Sequence, residues 1–210
     1  MSQPLPRREV LAGGLALAAA GAAKGSRADD GVVQVAVKTA KGVISIDLYA
    51  AKAPVTVKNF LRYADARLFD RSSFYRVSHA PNAPDHGLVE GGLRGDPKKV
   101  FKPIAHESTV KTGLTHKDGT VSMARRGPGT AAADFFIVVG DQPGFDADPT
   151  GQGSGGHGDK DGFAAFGQVT GGMDVVLAIF EQKVSATAGA GAMKGEMLSP
   201  PVPILTVRRV

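Results

Sequence analysis

Apolar and polar residues alternate along two neighbouring stretches at the start of the body of the chain. Val33, Val35 and Val37 occupy every second position, as do Ile44, Ile46 and Leu48, with residues 39–42 between them. Successive side chains of a strand point to opposite faces, so this pattern predicts a hairpin with one buried face. The period then lengthens. Within A-P-V-T-V-K-N-F-L (53–61) and just beyond it, Val57, Phe60, Leu61 and Ala64 recur at i, i+3, i+4 and i+7, the stripe of an amphipathic helix. Pro54 suits a first helical position, where its missing N–H is no loss. A second stripe, Met173, Val176, Leu177 and Phe180, predicts a helix late in the chain, and residues 203–210 read as a closing strand. Periodicity thus gives a mainly-β domain with two helices.

The chain is organised around residues 119–140, G-T-V-S-M-A-R-R-G-P-G-T-A-A-A-D-F-F-I-V-V-G. Two β-prone runs, 120–124 and 135–139, flank a turn-rich middle holding Gly127, Pro128 and Gly129. The alanines at 131–133 let other groups approach the backbone closely. Phe135 and Phe136 are adjacent on a strand, so one can enter a core while the other lines a surface pocket.

Composition narrows the classes of function. The 210 residues, 42% of them apolar, suit one globular domain. The formal charge is +5, but residues 1–28 carry Arg7, Arg8, Lys24 and Arg27 against Glu9, and the rest holds 21 basic and 19 acidic residues. That balance is no nucleic-acid footprint. The absence of cysteine removes disulfides, thiolate metal sites and lipid attachment through sulfur. The run from Val10 to Ala23 is fourteen residues long, short of the roughly 20 that span a bilayer. With the arginine pair before it and A-x-A-like sites between Ala18 and Ala28, residues 1–28 are expected to be a twin-arginine-like export signal, which places the protein in the periplasm.

The string S-M-A-R (122–125), followed by G-P-G-T-A-A-A-D-F-F-I (127–137), resembles the signature of the cyclophilin-type peptidyl-prolyl isomerases. Further segments fall in the family's order: residues 53–61 resemble its first helix, L-F-D-R-S-S-F-Y-R-V (68–77) the strand carrying its catalytic arginine, L-V-E-G-G (88–92) the strand ending in Q-G-G, and F-A-A-F-G-Q-V (163–169) a late strand. Ile104 and Glu107 resemble weaker anchor points. The resemblance covers nearly all of residues 32–210 and implies a closed eight-stranded antiparallel β-barrel plugged by two helices, residues 29–210 forming the isomerase domain. It implies catalysis of cis–trans exchange at X-Pro bonds in polypeptides, with no cofactor and no metal. The expected partners are proline-containing chains, with no nucleic acid, no stable membrane insertion after export, and a monomeric state.

By the same resemblance Arg76 is the catalytic residue, Phe136 the floor of the proline pocket and Leu88 its side wall, while the backbone at Ala124 and Arg125 holds the peptide as an added strand. If the strand is regular, Arg76 and Phe74 share one face and Tyr75 and Val77 the other. Four departures bear on specificity. Glu90 and Asp134 stand where the family has glutamines, Phe163 where it has histidine or tyrosine, and Gly87 where it has a pocket phenylalanine. Two acidic groups near Arg76 could neutralise its donor, Asp134 pairing with Arg76, with Arg125 or with both. Residues 78–87 read as a loop, the histidines as loop residues, and the Gly/Asp-rich stretch 141–162 as a flexible insertion, because it lacks the acidic spacing of a calcium loop and the context of a dinucleotide fingerprint. The alternatives are a groove that binds prolyl segments without turning them over and, resting on the Asp/Gly loop alone, an ion- or carbohydrate-binding exported domain.

Overall fold

The first alternating stretches form the expected hairpin. Strand β1 (Val32–Thr39) pairs antiparallel with β2 (Gly42–Tyr49), placing Val35 opposite Ile46 and Val37 opposite Ile44, and all four side chains are buried. The computed structural model describes residues 1, 31–94, 96, 98–150 and 160–210; the expected export segment and the centre of the Gly/Asp-rich stretch lie outside the described residues.

Helix α1 (Pro54–Asp65) follows, with Pro54 in its first turn and Thr56, Val57, Asn59, Phe60, Leu61, Tyr63 and Ala64 buried. The first N–H groups of a helix have no partner within it. Here Glu107 supplies one from 51 residues away: its Oε2 accepts from the backbone N and Oγ1 of Thr56 at 2.8 and 2.7 Å, and its Oε1 from Val55 N at 3.3 Å. A carboxylate at the positive end of a helix is also favoured by the dipole. Phe60 carries α1 into the barrel mouth, its ring 5.1 Å from Phe69, 5.3 Å from Phe135 and 5.5 Å from Phe166.

The remaining strands are β3 (Ser72–Ala80), β4 (Ala83–Gly92), β5 (Thr120–Met123), β6 (Phe135–Val139), β7 (Ala164–Gly171), β8 (Val184–Ser185) and β9 (Met197–Arg209). They run in the order β1-β2-β7-β5-β6-β4-β3-β9, and the β1–β9 pairing closes the circle. The result is the expected closed antiparallel barrel of eight strands, with β8 added on β9. A one-turn helix, α2 (Thr109–Thr112), has no signal in the periodicity. At the other barrel end lies α3 (Met173–Phe180), which buries Val176, Ile179 and Phe180. Leu177, assigned to the buried stripe, is 40% exposed, and Ile179 takes its place.

Two further expectations change. Residues 78–87 are not a loop: β3 runs on to Ala80 and β4 starts at Ala83, the two joined through Pro81 and Asn82. Before Gly87, β4 pairs with β3 alone, so Pro84 sits where its missing N–H breaks no second ladder. Nor is β3 regular. Phe74 pairs with Gly91 and Arg76 with Glu90, so Tyr75 is an extra residue, a β-bulge. The bulge resets the alternation: Phe74 and Val77 enter the core, while Tyr75 and Arg76 both meet Glu90. The face shared by Arg76 is therefore that of Tyr75, not that of Phe74.

Candidate active site

Inward residues of β4, β5 and β6 (Val89, Val121, Met123, Phe135, Ile137 and Val139) belong to the barrel core. Their neighbours face outward and form a second apolar cluster of Leu88, Phe136, Val138 and Phe145, with Ala124 and Phe163 packed against it. The register lines up the chemistry. Arg76 stands opposite Glu90, Glu90 opposite Phe136, and Phe136 opposite Ser122, one row across β3, β4, β6 and β5. Neighbouring strands lie about 4.8 Å apart, so Arg76 and Phe136, two strands apart, are about 10 Å apart along the row.

Three rings build the apolar part. Phe136 meets Phe145 at 5.5 Å and 73°, and Phe163 at 5.3 Å and 90°, while Phe145 meets Phe163 at 5.5 Å and 78°. Edge-to-face contacts of this kind suit the ring quadrupoles. Phe145, in a 3-10 turn (Pro143–Phe145), was missed in the sequence, although a lone aromatic residue in a Gly/Asp/Pro stretch is a signal that it packs on something. Gly87 cannot contribute to this wall, because at φ 155° a Cβ there would lie 1.9 Å from the Ser78 carbonyl oxygen.

Behind Phe136 is a histidine of the loop between α2 and β5, the kind of position expected of it, but a buried one. His116 is 1% exposed, its ring 6.1 Å from Phe136 and nearly parallel at 15°, and edge-on to Phe145 at 5.8 Å. Its Nδ1 is 2.7 Å from Asp146 Oδ1, and its Nε2 is 2.9 Å from Ser122 Oγ. An ionised carboxylate only accepts, so Nδ1 carries the proton. The order Asp–His–Ser is that of a hydrolytic triad, but Ser122 is 0% exposed. A sealed hydroxyl cannot attack a substrate, and the three residues brace the wall behind Phe136.

The polar part centres on Arg76. Its Nη1 donates to Glu90 Oε2 at 2.6 Å, and its Nε and Nη2 reach Glu196 Oε2, both at 2.7 Å. Tyr75 Oη donates to Glu90 Oε1 at 2.7 Å, and Ser78 Oγ to Glu196 Oε1 at 2.6 Å. Burial works against the charged guanidinium, but the Glu90 and Glu196 carboxylates outweigh it and hold its pKa above the ordinary value. Burial, then the Glu90 charge, pushes the Tyr75 phenol far up, so it stays a donor.

The expected acidic neighbour of Arg76 is thus half right. Glu90 is there, but the second carboxylate is Glu196, not Asp134. Asp134 Oδ1 instead accepts from the backbone N of Arg94 at 2.8 Å, bracing the turn after β4. Gly92 makes room for it, since a Cβ at that residue would lie 2.5 Å from Asp134 Oδ1. Arg125 donates through Nε to the Gly162 carbonyl at 3.0 Å, also through Nη2, and lies 4.9 Å above the Phe163 ring. Ala124 follows β5, and its N–H is taken by the Asp134 carbonyl at 3.0 Å. Two clefts of about 200 and 250 Å³ open elsewhere, and neither is lined by Arg76, Glu90 or Phe136.

The family model described as cyclophilin type peptidyl-prolyl cis-trans isomerase/CLD matches residues 32–208. The chain belongs to that family. A peptidyl-prolyl cis-trans isomerase of Acinetobacter baylyi is 29% identical over 205 residues, 97% of this chain and 95% of that protein. Peptidyl-prolyl cis-trans isomerase cyp18 of Streptomyces antibioticus is 36% identical over 161 residues, 74% of this chain and 87% of that protein. A crystal structure of a Cryptosporidium parvum cyclophilin type isomerase superposes with a TM-score of 0.66 at 17% identity, covering 85% of this chain and 98% of that one. That last likeness speaks for the barrel alone. The cyclophilin-type chain is a peptidyl-prolyl cis-trans isomerase, and the outward row from Arg76 to Phe136 is its candidate active site.

Proposed function

We propose that the chain isomerises X-Pro bonds by directing Arg76 N–H groups at the prolyl nitrogen while Phe136, Leu88, Phe145 and Phe163 hold the ring. Rotation about the bond meets a barrier of about 18–20 kcal/mol because it breaks amide resonance. At the top of that barrier the nitrogen keeps its lone pair to itself and becomes an acceptor. A donor placed there binds the twisted amide more strongly than either planar form, which is how the barrier falls. No nucleophile, metal or proton transfer enters. Guanidinium has five N–H donors. Glu90 takes an N–H of Nη1 and Glu196 that of Nε, with Nη2 at ion-pair distance, which leaves N–H groups on both terminal nitrogens for the substrate.

The observation that carries this reading is the row itself: a fixed cation and an apolar floor on one face, two strands apart with Glu90 between them. The test is a protease-coupled assay on a short X-Pro peptide with Arg76→Ala. One lost preorganised donor lowers turnover by roughly 10²–10³, with the fold intact by circular dichroism. A variant with near-parental turnover rejects the role of Arg76.

A weakly turning-over binder of prolyl segments is the second reading. One observation favours it: two carboxylates on one guanidinium damp the donor. The substrates on either reading are proline-containing polypeptides, and assistance to their folding follows from the slowness of the uncatalysed exchange, tens to hundreds of seconds. Export to the periplasm is supported by Arg7, Arg8 and the apolar run behind them; no helix among the described residues is long and apolar enough to cross a membrane. Replacing both arginines with lysine should leave the precursor in the cytoplasm, and unchanged delivery would count against this route.

A further inference from the structure

Glu196 drew no attention in the sequence, lying 120 residues from Arg76, yet the structure ties it to β3 at several points. Its Oε2 accepts from Arg76 Nε at 2.7 Å and lies at ion-pair distance, also 2.7 Å, from Nη2. Its Oε1 accepts from Ser78 Oγ at 2.6 Å, and its backbone carbonyl accepts from Val77 N at 3.0 Å. The backbone of the residue is itself fixed, its N–H donating to the Met193 carbonyl at 3.2 Å. The segment before β9 thus presents one carboxylate, braced at its far oxygen, to the side of the guanidinium opposite Glu90.

We propose that Glu196 is a positioning residue for the isomerase reaction, setting the plane of the Arg76 guanidinium so that its remaining N–H groups face the prolyl bond; this rests on the reading of Arg76 as the donor. The contact from Glu90 reaches only Nη1, which leaves the group free to swing about its other bonds. The Glu196 contact takes the Nε/Nη2 edge and stops that rotation, as side-on pairing of a planar fork does. Ser78 matters because it fixes the carboxylate in turn. A donor held in place before the reaction needs no reorganisation during it, so the effect belongs to the transition state and not to ground-state binding.

A double-mutant cycle reads this directly. Glu196→Ala is expected to lower kcat about tenfold with KM within about twofold, since small misplacement of a catalytic group costs up to about 10² in rate. Glu196→Gln should stay within about threefold of the parent: the amide oxygen takes the Arg76 N–H groups, and the amide NH₂ faces Ser78 Oγ, which turns from donating to accepting. In an Arg76→Ala background Glu196→Ala should change nothing further, because the residue acts through Arg76. Parental kcat in Glu196→Ala overturns the proposal. So does an equal loss in the Arg76→Ala background, or a Gln variant as slow as the Ala variant. Near-parental turnover of Arg76→Ala alone would instead reject the donor role of Arg76. Should Glu196→Ala fail to fold, Ser78→Ala removes only the brace. It should lower kcat about two- to threefold, and do nothing without Arg76; no change in kcat overturns the proposal.

Discussion

Tyr75 and Arg76 are consecutive residues of one strand, yet both bind the same carboxylate, Tyr75 Oη to Glu90 Oε1 at 2.7 Å and Arg76 Nη1 to Glu90 Oε2 at 2.6 Å. Only a bulge permits this, because regular strand neighbours point to opposite faces. The bulge therefore does two jobs at once: it turns Arg76 out of the barrel and places a second donor beside it to hold its partner. Glu90 is 5% exposed, and a carboxylate so buried must have its oxygens satisfied.

Tyr75→Phe tests that arrangement. It removes one hydrogen bond to a buried charge and leaves the ring packed under Arg94, whose Cζ lies 5.3 Å from the ring centre. Hydrogen bonds to charged groups contribute about 1.5–3 kcal/mol, so the denaturation midpoint should fall by that equivalent with the slope unchanged. Turnover should fall only two- to fivefold or so, since Glu90 keeps Arg76 Nη1. An unchanged midpoint would show that Glu90 finds another donor.

His116 bears on the pocket and not on the cation. His116→Ala strands Asp146 and Ser122 and opens space behind Phe136 and Phe145. Loss of a large buried side chain with its hydrogen bonds costs about 2–4 kcal/mol. The pocket grips the proline ring in planar and twisted amides alike, so KM should rise more than kcat falls. Ser122→Ala removes one partner only and should cost about 1 kcal/mol with KM near the parent. A kcat loss at constant KM in His116→Ala would place the residue with the chemistry instead.

Much of this was legible in the chain. The hairpin, α1 and the opposed Phe135 and Phe136 follow from period alone, because each needs only neighbours in sequence. The resemblance added the barrel and named Arg76, Leu88 and Phe136, but not the register that sets Arg76, Glu90 and Phe136 in one row. What stayed hidden depends on partners far along the chain. Glu196 is one charged residue in a Gly/Ala-rich stretch, and nothing local separates it from a solvated charge. The bulge at Tyr75 leaves S-S-F-Y-R-V looking like an ordinary alternation, although register against β4 decides which way Arg76 points. Residues 78–87 look like a loop because their polarity reflects an unpartnered strand edge, not missing pairing. His116 looks polar, and only Asp146 and Ser122 make its burial possible.

The C-terminal end of β9 is tied down by two arginines. Arg208 makes a two-pronged contact with Asp70, at 2.8 and 2.6 Å, and Arg209 with Asp65, at 2.9 and 2.6 Å. The Arg208 hydrogen bonds lower the Asp70 pKa below its ordinary 3.8, and the Arg209 hydrogen bonds do the same for Asp65. A depressed folded-state pKa means stability that is present above the unfolded value and lost as pH falls through the folded one. Asp70→Asn should therefore melt below the parent at pH 6–7, and the gap should close as the pH falls below 3.8 through the lowered folded-state value. Both pairs are open to solvent, so the difference should be about 1–2 °C and shrink in high salt. A gap that does not narrow on acidification would assign it to packing.

Asp134 is where this chain departs from the family glutamine without joining the charge cluster. Were it paired with Arg76, neutralising it would free the guanidinium and raise turnover a few-fold. The ion pairs of Arg76 run instead to Glu90 and Glu196, and Asp134 Oδ1 takes the Arg94 N–H. Asparagine keeps an oxygen at that point and can go on accepting. Asp134→Asn should therefore leave kcat/KM within about twofold and the midpoint within about 0.5 kcal/mol. Asp134→Ala removes the acceptor, frees the turn after β4 and should cost about 1 kcal/mol, again with little change in kcat. The Asp134 charge does reach Tyr75, whose phenol it helps to push up, so the residual effect in the Asn variant should follow Tyr75 and vanish in a Tyr75→Phe background. A gain of several-fold in Asp134→Asn that survives Tyr75→Phe would mean that Asp134 does act on the arginine.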